Sequence, residues 1–293
     1  MDSHVRIKAG IAQIDCRLGD LQHNLQLHLQ MMGQARSAGV ELLLFPELSL
    51  TGYGLGGRVP EVALACKAPM VRELAQAAGD MTVVFGFVEE GPAAQFYNVA
   101  AAVRNGRVVH LHRKLNLPTY GRLEEGKLFG QGQRIDAFEI SEPWTAGLLI
   151  CADLWNPALV HLAMSQGATV LLAPINSALG AVSDEFSNPK GWDLAVRFYA
   201  MMYGVPVLMA NRVGTEGGAR FWGGSCIVDP YGQILAHSAD DTPCLLTADL
   251  YYDAVRSARF QLPTLRDANL PFVQREINRL AARPSGPEFK RTD

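Results

Sequence analysis

The sequence predicts an α/β fold in which two sheets pack face to face with helices outside them. Three observations carry this. Short β-rich runs alternate with longer helical runs along the chain, strand-like runs outnumber helical ones, and a unit of helix, glycine and strand recurs in similar residues. An excess of strands over helices argues against one doubly wound sheet, which spends a helix on nearly every parallel connection. The 293 residues suffice to bury roughly 75% of the surface that the unfolded chain exposes, so a sizeable core is expected.

Residues 5–14 read as the first strand. Asp20 caps the following helix, where Leu21, Leu25, Leu29 and Met32 recur at three- and four-residue intervals, and Gly39 ends it. Residues 41–45 are apolar after the first, as expected of a strand covered on both faces. Further strands are expected at 82–88, 96–103, 107–112, 145–150, 168–173, 205–210, 224–228 and 244–249, and further helices at 69–78, 156–166, 190–203 and 271–282. The recurring unit is Gly39-Val-Glu-Leu-Leu-Leu-Phe-Pro-Glu-Leu-Ser49 against Gly167-Ala-Thr-Val-Leu-Leu-Ala-Pro-Ile-Asn-Ser177, with Gly204-Val-Pro-Val-Leu-Met-Ala-Asn211 of the same layout. It places Glu47, Asn176 and Asn211 just past strand ends, where α/β structures commonly line ligand crevices. The same pattern is also how any helix–glycine–strand junction looks.

Composition excludes several classes of function. Charged residues make up 19% of the chain and the formal charge is −3, so no strong field steers phosphate backbones or anionic membranes, and neither nucleic acid nor membrane is an expected partner. The low charged fraction instead favours burial of some surface in a homodimer or larger homo-oligomer. Cys16, Cys66, Cys151, Cys226 and Cys244 are scattered and odd in number, which fits free thiols in a reducing compartment. The N-terminal residues lack the basic-then-apolar pattern of a secretory signal, and no run reaches 18 apolar residues. A cytoplasmic location is the expectation.

Three positions could carry chemistry. Cys151 follows an apolar strand and precedes a helix start at Pro157; the strand would fix its backbone while the turn exposes the thiol and aims amide N–H groups at an oxyanion. A buried core cysteine would look the same. Glu47 follows Leu-Leu-Leu-Phe-Pro, where a carboxylate needs a cationic or hydrogen-bonding partner. Lys114 lies just past another β-like run. Spacing alone does not bring Glu47 and Lys114 together, and a loop glutamate with a surface lysine is equally consistent.

Phe45-Pro-Glu47-Leu-Ser-Leu-Thr-Gly-Tyr53, His112-Arg-Lys114-Leu-Asn-Leu-Pro-Thr-Tyr-Gly121 and Leu149-Ile-Cys151-Ala-Asp-Leu-Trp-Asn-Pro157 resemble, in order, the three catalytic blocks of the nitrilase superfamily, the carbon-nitrogen hydrolases. Similarity continues through Trp192, Ala210-Asn-Arg-Val-Gly214 and Gly224-Ser-Cys-Ile-Val-Asp-Pro-Tyr-Gly232, covering roughly residues 5–250. The resemblance implies a four-layer αββα sandwich that assembles into homo-oligomers. It also implies a triad of Glu47 as general base and acid, Lys114 as oxyanion stabiliser and Cys151 as nucleophile, with the backbone N–H of Ala152 completing the oxyanion site. The segment Tyr120-Gly-Arg-Leu-Glu-Glu125-Gly-Lys-Leu-Phe129 resembles the one that brings a second glutamate to the triad, and Glu125 matches better than Glu124. No cofactor or metal is implied; His110, His112 and His161 match no metal motif and are expected to be structural.

The implied activity is thiol-dependent hydrolysis of a non-peptide C–N bond, foremost a small carboxylic amide to acid and ammonia. Ala152 departs from the tryptophan that typically follows the cysteine of nitrilases, which argues against nitriles. Cys-Ala-Asp-Leu-Trp and Leu-Pro-Thr-Tyr-Gly look like the glutamine-hydrolysing domain of glutamine-dependent NAD synthetases. Nitrile or N-carbamoyl amino acid hydrolysis, a partner-dependent glutaminase, and a non-catalytic binding protein remain the alternatives. Tyr53, Tyr120, Trp155, Asn176, Phe186 and Trp192 are candidate pocket walls, and residues 176–190 have the composition of a lid. The domain is expected to span 1–260. Residues 261–293 would form an extension packed on it or across a subunit interface, with a fraying polar end.

Overall fold

The computed structural model describes residues 5–282; the polar run 283–293 expected to fray lies outside the described residues. In chain order the elements are β1 (Arg6–Gln13), α1 (Leu21–Ser37), β2 (Leu42–Leu44), α2 (Val59–Val62), α3 (Pro69–Ala78), β3 (Thr82–Glu90), β4 (Phe96–Arg104), β5 (Arg107–Arg113), α4 (Glu125–Leu128), β6 (Phe138–Ser141), β7 (Trp144–Leu148), α5 (Pro157–Ser165) and β8 (Val170–Pro174). The second half continues with α6 (Asn188–Tyr203), β9 (Val207–Ala210), β10 (Val213–Glu216), β11 (Ala219–Trp222), β12 (Cys226–Val228), β13 (Ile234–His237), β14 (Cys244–Tyr251), α7 (Tyr252–Gln261) and α8 (Leu270–Ala281).

Two six-stranded sheets form, ordered β14-β1-β2-β3-β4-β5 and β13-β12-β9-β8-β7-β6, with β10 and β11 as a separate hairpin. Each has a parallel centre, β1-β2-β3 in one and β7-β8-β9 in the other, flanked by antiparallel strands. Alternation along the strands divides the first sheet's side chains between two cores. Ile7, Ala9, Ile11, Leu42, Leu44 and Val84 pack inward with Ala146, Leu148, Leu172 and Leu208 of the second sheet. Leu43, Phe45, Val83, Phe85 and Phe87 point the other way, onto Leu25, Met32, Val71 and Leu74 of α1 and α3. The second sheet's far face is covered by α5 and α6 through Val160, Met164, Val196 and Ala200. The layers are therefore helix, sheet, sheet, helix.

Asp20 caps α1, its Oδ1 accepting from His23 N at 3.1 Å, and Gly39 leaves the helix at φ +72. The buried face of α1 differs from the expected one. Leu25 and Met32 are buried but Leu21 and Leu29 only partly, while Asn24 and His28 take core positions. Asn24 bonds Arg17 N and O at 2.7 Å each and Leu50 O at 2.9 Å. A nitrogen of His28 lies 2.9 Å from Ser49 Oγ. The helix thus clamps the turn after β2 with polar groups rather than leucines. That turn is also approached closely by β3: a Cβ on Gly86 would lie 2.2 Å from Leu48 N and 3.0 Å from Glu47 C, so only glycine lets the strand pass there.

At the C-terminal side, α7 buries only Val255 and Ala258. Arg259 ties it to Tyr203 O and Ala168 O at 3.1 and 2.6 Å, and the Thr264 hydroxyl donates to Met202 O. No residue of α8 is buried. Among the described residues no helix is long and apolar enough to cross a membrane.

Candidate active site

Glu47 and Asn176, which the recurring sequence unit places just past strand ends, meet at the carboxyl ends of β2 and β8. Glu47 N donates to Ile175 O at 3.3 Å, and Asn176 Nδ2 donates to Glu47 O at 2.9 Å. Asn211, the third such position, fixes the next residue: its Oδ1 accepts from Ser177 N at 2.9 Å and its Nδ2 donates to Ser177 O at 3.2 Å. The crevice lies where strands of both sheets end.

Lys114 Nζ, one residue beyond β5, donates to Glu47 Oε1 and to Glu125 Oε1, each at 2.6 Å, and all three side chains are buried. Asn98 of β4 holds this cluster from beneath. Its Nδ2 donates to Glu47 Oε1 at 2.7 Å, and its carbonyl accepts from Lys114 N at 2.9 Å. Tyr53 O–H donates to Glu125 Oε1 at 2.6 Å. Glu47 Oε2 is buried and has no hydrogen-bond partner, which leaves one carboxylate oxygen free for proton transfer.

Burial opposes the charge on Lys114, but Glu125 and Glu47 more than offset it and hold the ammonium well above its ordinary range. Cys151 follows β7 on a tight turn with φ +45, a conformation that non-glycine residues adopt rarely and that recurs at functional sites. Burial pushes its thiol well above the usual cysteine range; Glu47 adds to the rise, and Lys114 and the Asn176 backbone N–H oppose it. The sulfur is therefore a thiol at neutral pH and needs a base to become a nucleophile. A carboxylate with a free oxygen, an ammonium and a backbone turn beside a thiol can support acyl transfer through that thiol.

Burial raises the Glu125 carboxyl to about 7, Lys114 pulling it down and Glu47 pushing it up. The sign of its effect on stability follows. Between its ordinary 4.5 and about 7 the folded chain holds a proton that the unfolded chain has released, so this contribution is full below 4.5 and is lost as pH rises through 7. Urea midpoints measured from pH 4.5 to 8 should show a fall in stability through that window, and Glu125→Gln should flatten it. An unchanged slope in the variant would assign the pH dependence to other groups.

A cavity of about 30 Å³ adjoins Cys151, lined by Tyr53, Tyr120, Glu125, Ala152, Trp155, Asn176 and Trp192 among others. Seven of the sequence-nominated residues thus line it with Cys151. Phe186 does not: it lies off the cavity, 39% exposed, with its ring edge-on to Trp155 at 5.9 Å. The physical reason is that Trp155 and Trp192, 4.5 Å apart, already close that wall, so Phe186 backs it from outside. Residues 176–190 contribute Asn176, Ser177, Ala181, Val182 and Asn188 to the lining.

Several supporting residues escaped sequence reasoning. Asp153 is wholly buried. Its Oδ1 accepts from Leu115 N and Asn116 N at 2.9 and 2.7 Å, and its Oδ2 from Ile150 N and His112 Nε2 at 3.0 Å each. It locks the turn that carries Lys114 to the turn that carries Cys151. Arg212, also wholly buried, bonds Glu216 Oε2 at 2.5 Å and Cys16 O at 2.7 Å; Glu216 Oε1 in turn accepts from Tyr53 N and Gly54 N at 3.1 and 2.6 Å. The turn that carries Tyr53 to Glu125 is thereby fixed. The available signals were polar residues inside apolar strands, such as Asn98 in Tyr-Asn-Val-Ala-Ala-Ala-Val, and a short-range Cys-Ala-Asp.

Comparison with known proteins shows the family. The carbon-nitrogen hydrolase family model matches residues 8–260. A glutamine-dependent NAD(+) synthetase of Thermotoga maritima is 29% identical over 85% of this chain, but the match covers 42% of that protein, so the chain spans well under half its length. An (R)-stereoselective amidase of a Pseudomonas species is 30% identical, covering 90% of this chain and 92% of that one. A solved mutant of the amidase from Nesterenkonia sp. AN1, with the acetamide moiety of fluoroacetamide added covalently at its active site cysteine, superposes with a TM-score of 0.77. It is 28% identical over 92% of this chain and 96% of that one.

Proposed function

Because the chain belongs to the carbon-nitrogen hydrolase family, as the match over residues 8–260 establishes, we propose that it hydrolyses a small carboxylic amide to acid and ammonia through a thioester on Cys151. The observation that carries this reading is the buried cluster beside Cys151, in which Lys114 Nζ bridges Glu47 and Glu125 at 2.6 Å while Glu47 keeps an unpartnered oxygen.

In the first half-reaction Glu47 takes the thiol proton as the sulfur attacks the amide carbon. Lys114 and the Ala152 N–H stabilise the oxyanion that forms. Collapse of the intermediate breaks the C–N bond, and Glu47 returns the proton to the departing nitrogen, so ammonia leaves neutral. In the second, water attacks the thioester carbon and gives its proton to Glu47; the C–S bond breaks and the thiol recovers that proton. Glu125, bonded to Lys114 Nζ at 2.6 Å, holds the ammonium in position. The cavity beside Cys151 is small, about 30 Å³, which favours a short acyl group over a long or aromatic one.

A second reading is hydrolysis of the glutamine side-chain amide with ammonia passed to a separate partner, which the likeness to the Thermotoga maritima synthetase favours. One experiment separates them. Ammonia release is measured over acetamide, propionamide, benzamide, glutamine, an N-carbamoyl amino acid and acetonitrile, with quenched samples weighed for an acyl adduct on the Cys151 peptide. Short amides should lead and leave an acyl adduct. Glutamine alone as substrate would select the second reading, and acetonitrile alone would overturn both.

A further inference from the structure

The polar atoms of the cavity wall are unevenly matched. Asn176 and Asn188 are each 5% exposed, and neither Oδ1 has a hydrogen-bond partner. Their nitrogens are engaged: Asn176 Nδ2 donates to Glu47 O at 2.9 Å, and Asn188 Nδ2 to Ser177 Oγ at 3.1 Å. Ser177 Oγ also accepts from Trp192 Nε1 at 3.1 Å. The Asn188 amide is therefore held by a serine that is itself pinned, with its oxygen left over. A buried acceptor without a donor costs on the order of 1–3 kcal/mol, and native proteins leave few of them without a reason.

The rest of the lining narrows what could meet that oxygen. It contains no arginine or lysine side chain, and its one carboxylate, Glu125, is taken by Lys114 and Tyr53. A substrate carboxylate would find no cation in this wall. An ammonium would find no free anion and would lose its hydration. A neutral O–H donor suits an amide oxygen in an otherwise aromatic wall.

We propose that Asn188 selects short amides whose acyl chain carries a hydroxyl, which donates to Asn188 Oδ1, while Asn176, bonded to the Glu47 carbonyl and lining the same cavity as Cys151, orients the reacting end. This rests on the amide-hydrolysis reading above and names the substrate class for the same site. Asn188 is the first residue of α6, so its backbone is fixed by the helix and its amide by Ser177, as a specificity group requires.

The test compares kcat/KM for 2-hydroxypropionamide and 3-hydroxypropionamide with that for propionamide, in the parent, Asn188→Leu and Asn188→Asp. The better hydroxyamide should exceed propionamide by about tenfold or more in the parent, the scale of one buried hydrogen bond. The ratio should fall towards one in Asn188→Leu and persist in Asn188→Asp, which keeps an acceptor. Equal rates in the parent, or a ratio that survives Asn188→Leu, would overturn the proposal, and the parent ratio decides it should the leucine variant not fold. Calorimetric binding of the same three amides to Cys151→Ala reads the preference without turnover. Hydroxyamide-selective binding with no hydrolysis by the parent would remove the amidase reading and leave the selectivity standing; hydrolysis without selectivity would do the reverse.

Discussion

Cys151→Ala is expected to lower ammonia release from any amide the parent hydrolyses by a factor on the order of 10³ or more, because the proposed covalent route has no substitute for the sulfur. The loss should not be one of folding. Alanine occupies the same backbone position at φ +45 with the same Cβ, and the Glu47, Lys114 and Glu125 cluster keeps every bond that holds it. Thermal midpoints within a few degrees of the parent, with the acyl adduct absent, would accompany the loss. Glu47→Gln separates nucleophile from base: the variant keeps the sulfur and loses the group proposed to take its proton, so ammonia release should fall while Cys151 still alkylates with iodoacetamide. Residual activity of Cys151→Ala within tenfold of the parent would exclude covalent catalysis through this residue.

How far the sequence foretold this arrangement depends on what kind of signal each residue carries. Helix 69–78 matches its expected bounds because its apolar spacing and starting proline agree. The parallel strands were readable because burial on both faces makes them uniformly apolar. Strand β13 and helix α7 were missed for the opposite reason: β13 has no buried residue and α7 buries only two, so neither presents a clear apolar period. The hairpin β10–β11, Val-Gly-Thr-Glu-Gly-Gly-Ala-Arg-Phe-Trp, reads as a glycine-rich loop, and its role is polar, through Glu216 and the Tyr53 turn.

The recurring helix–glycine–strand unit could have been no more than a common junction. In the fold it corresponds to two sheets with the same parallel centre, and it brings Glu47 against Asn176. What spacing could not give was the meeting of Glu47 with Lys114, 67 residues apart, since that contact depends on the order of strands in a sheet. Nor could it give the buried role of Asn24, His28, Asn98 or Asp153. Such residues read as surface because the sequence shows their polarity and hides the partners that satisfy it.

Asp153→Asn should lower kcat/KM by about a hundredfold although Asp153 is no part of the proposed reacting set. Its four hydrogen bonds come from three backbone N–H groups and His112. An asparagine side chain has one oxygen and one NH₂, so at least one pair of these donors would face another donor inside the core. Each buried group left unsatisfied costs on the order of 1–3 kcal/mol. The relief available is for the turn 114–116 to draw away from the turn 150–153. That would separate Lys114 from the position where an oxyanion on Cys151 would form, and a misplacement of about 1 Å suffices for a hundredfold loss. The loss should fall mainly on kcat, since the cavity wall of Trp155, Asn176 and Trp192 is built on other contacts. His112→Gln, which removes one of the four donors and keeps the carboxylate, should lose less and fold where Asp153→Asn does not. Kinetics on both variants, set beside urea midpoints, would distinguish positioning from stability alone: a kcat unchanged in folded Asp153→Asn would show that the two turns hold their geometry without the carboxylate.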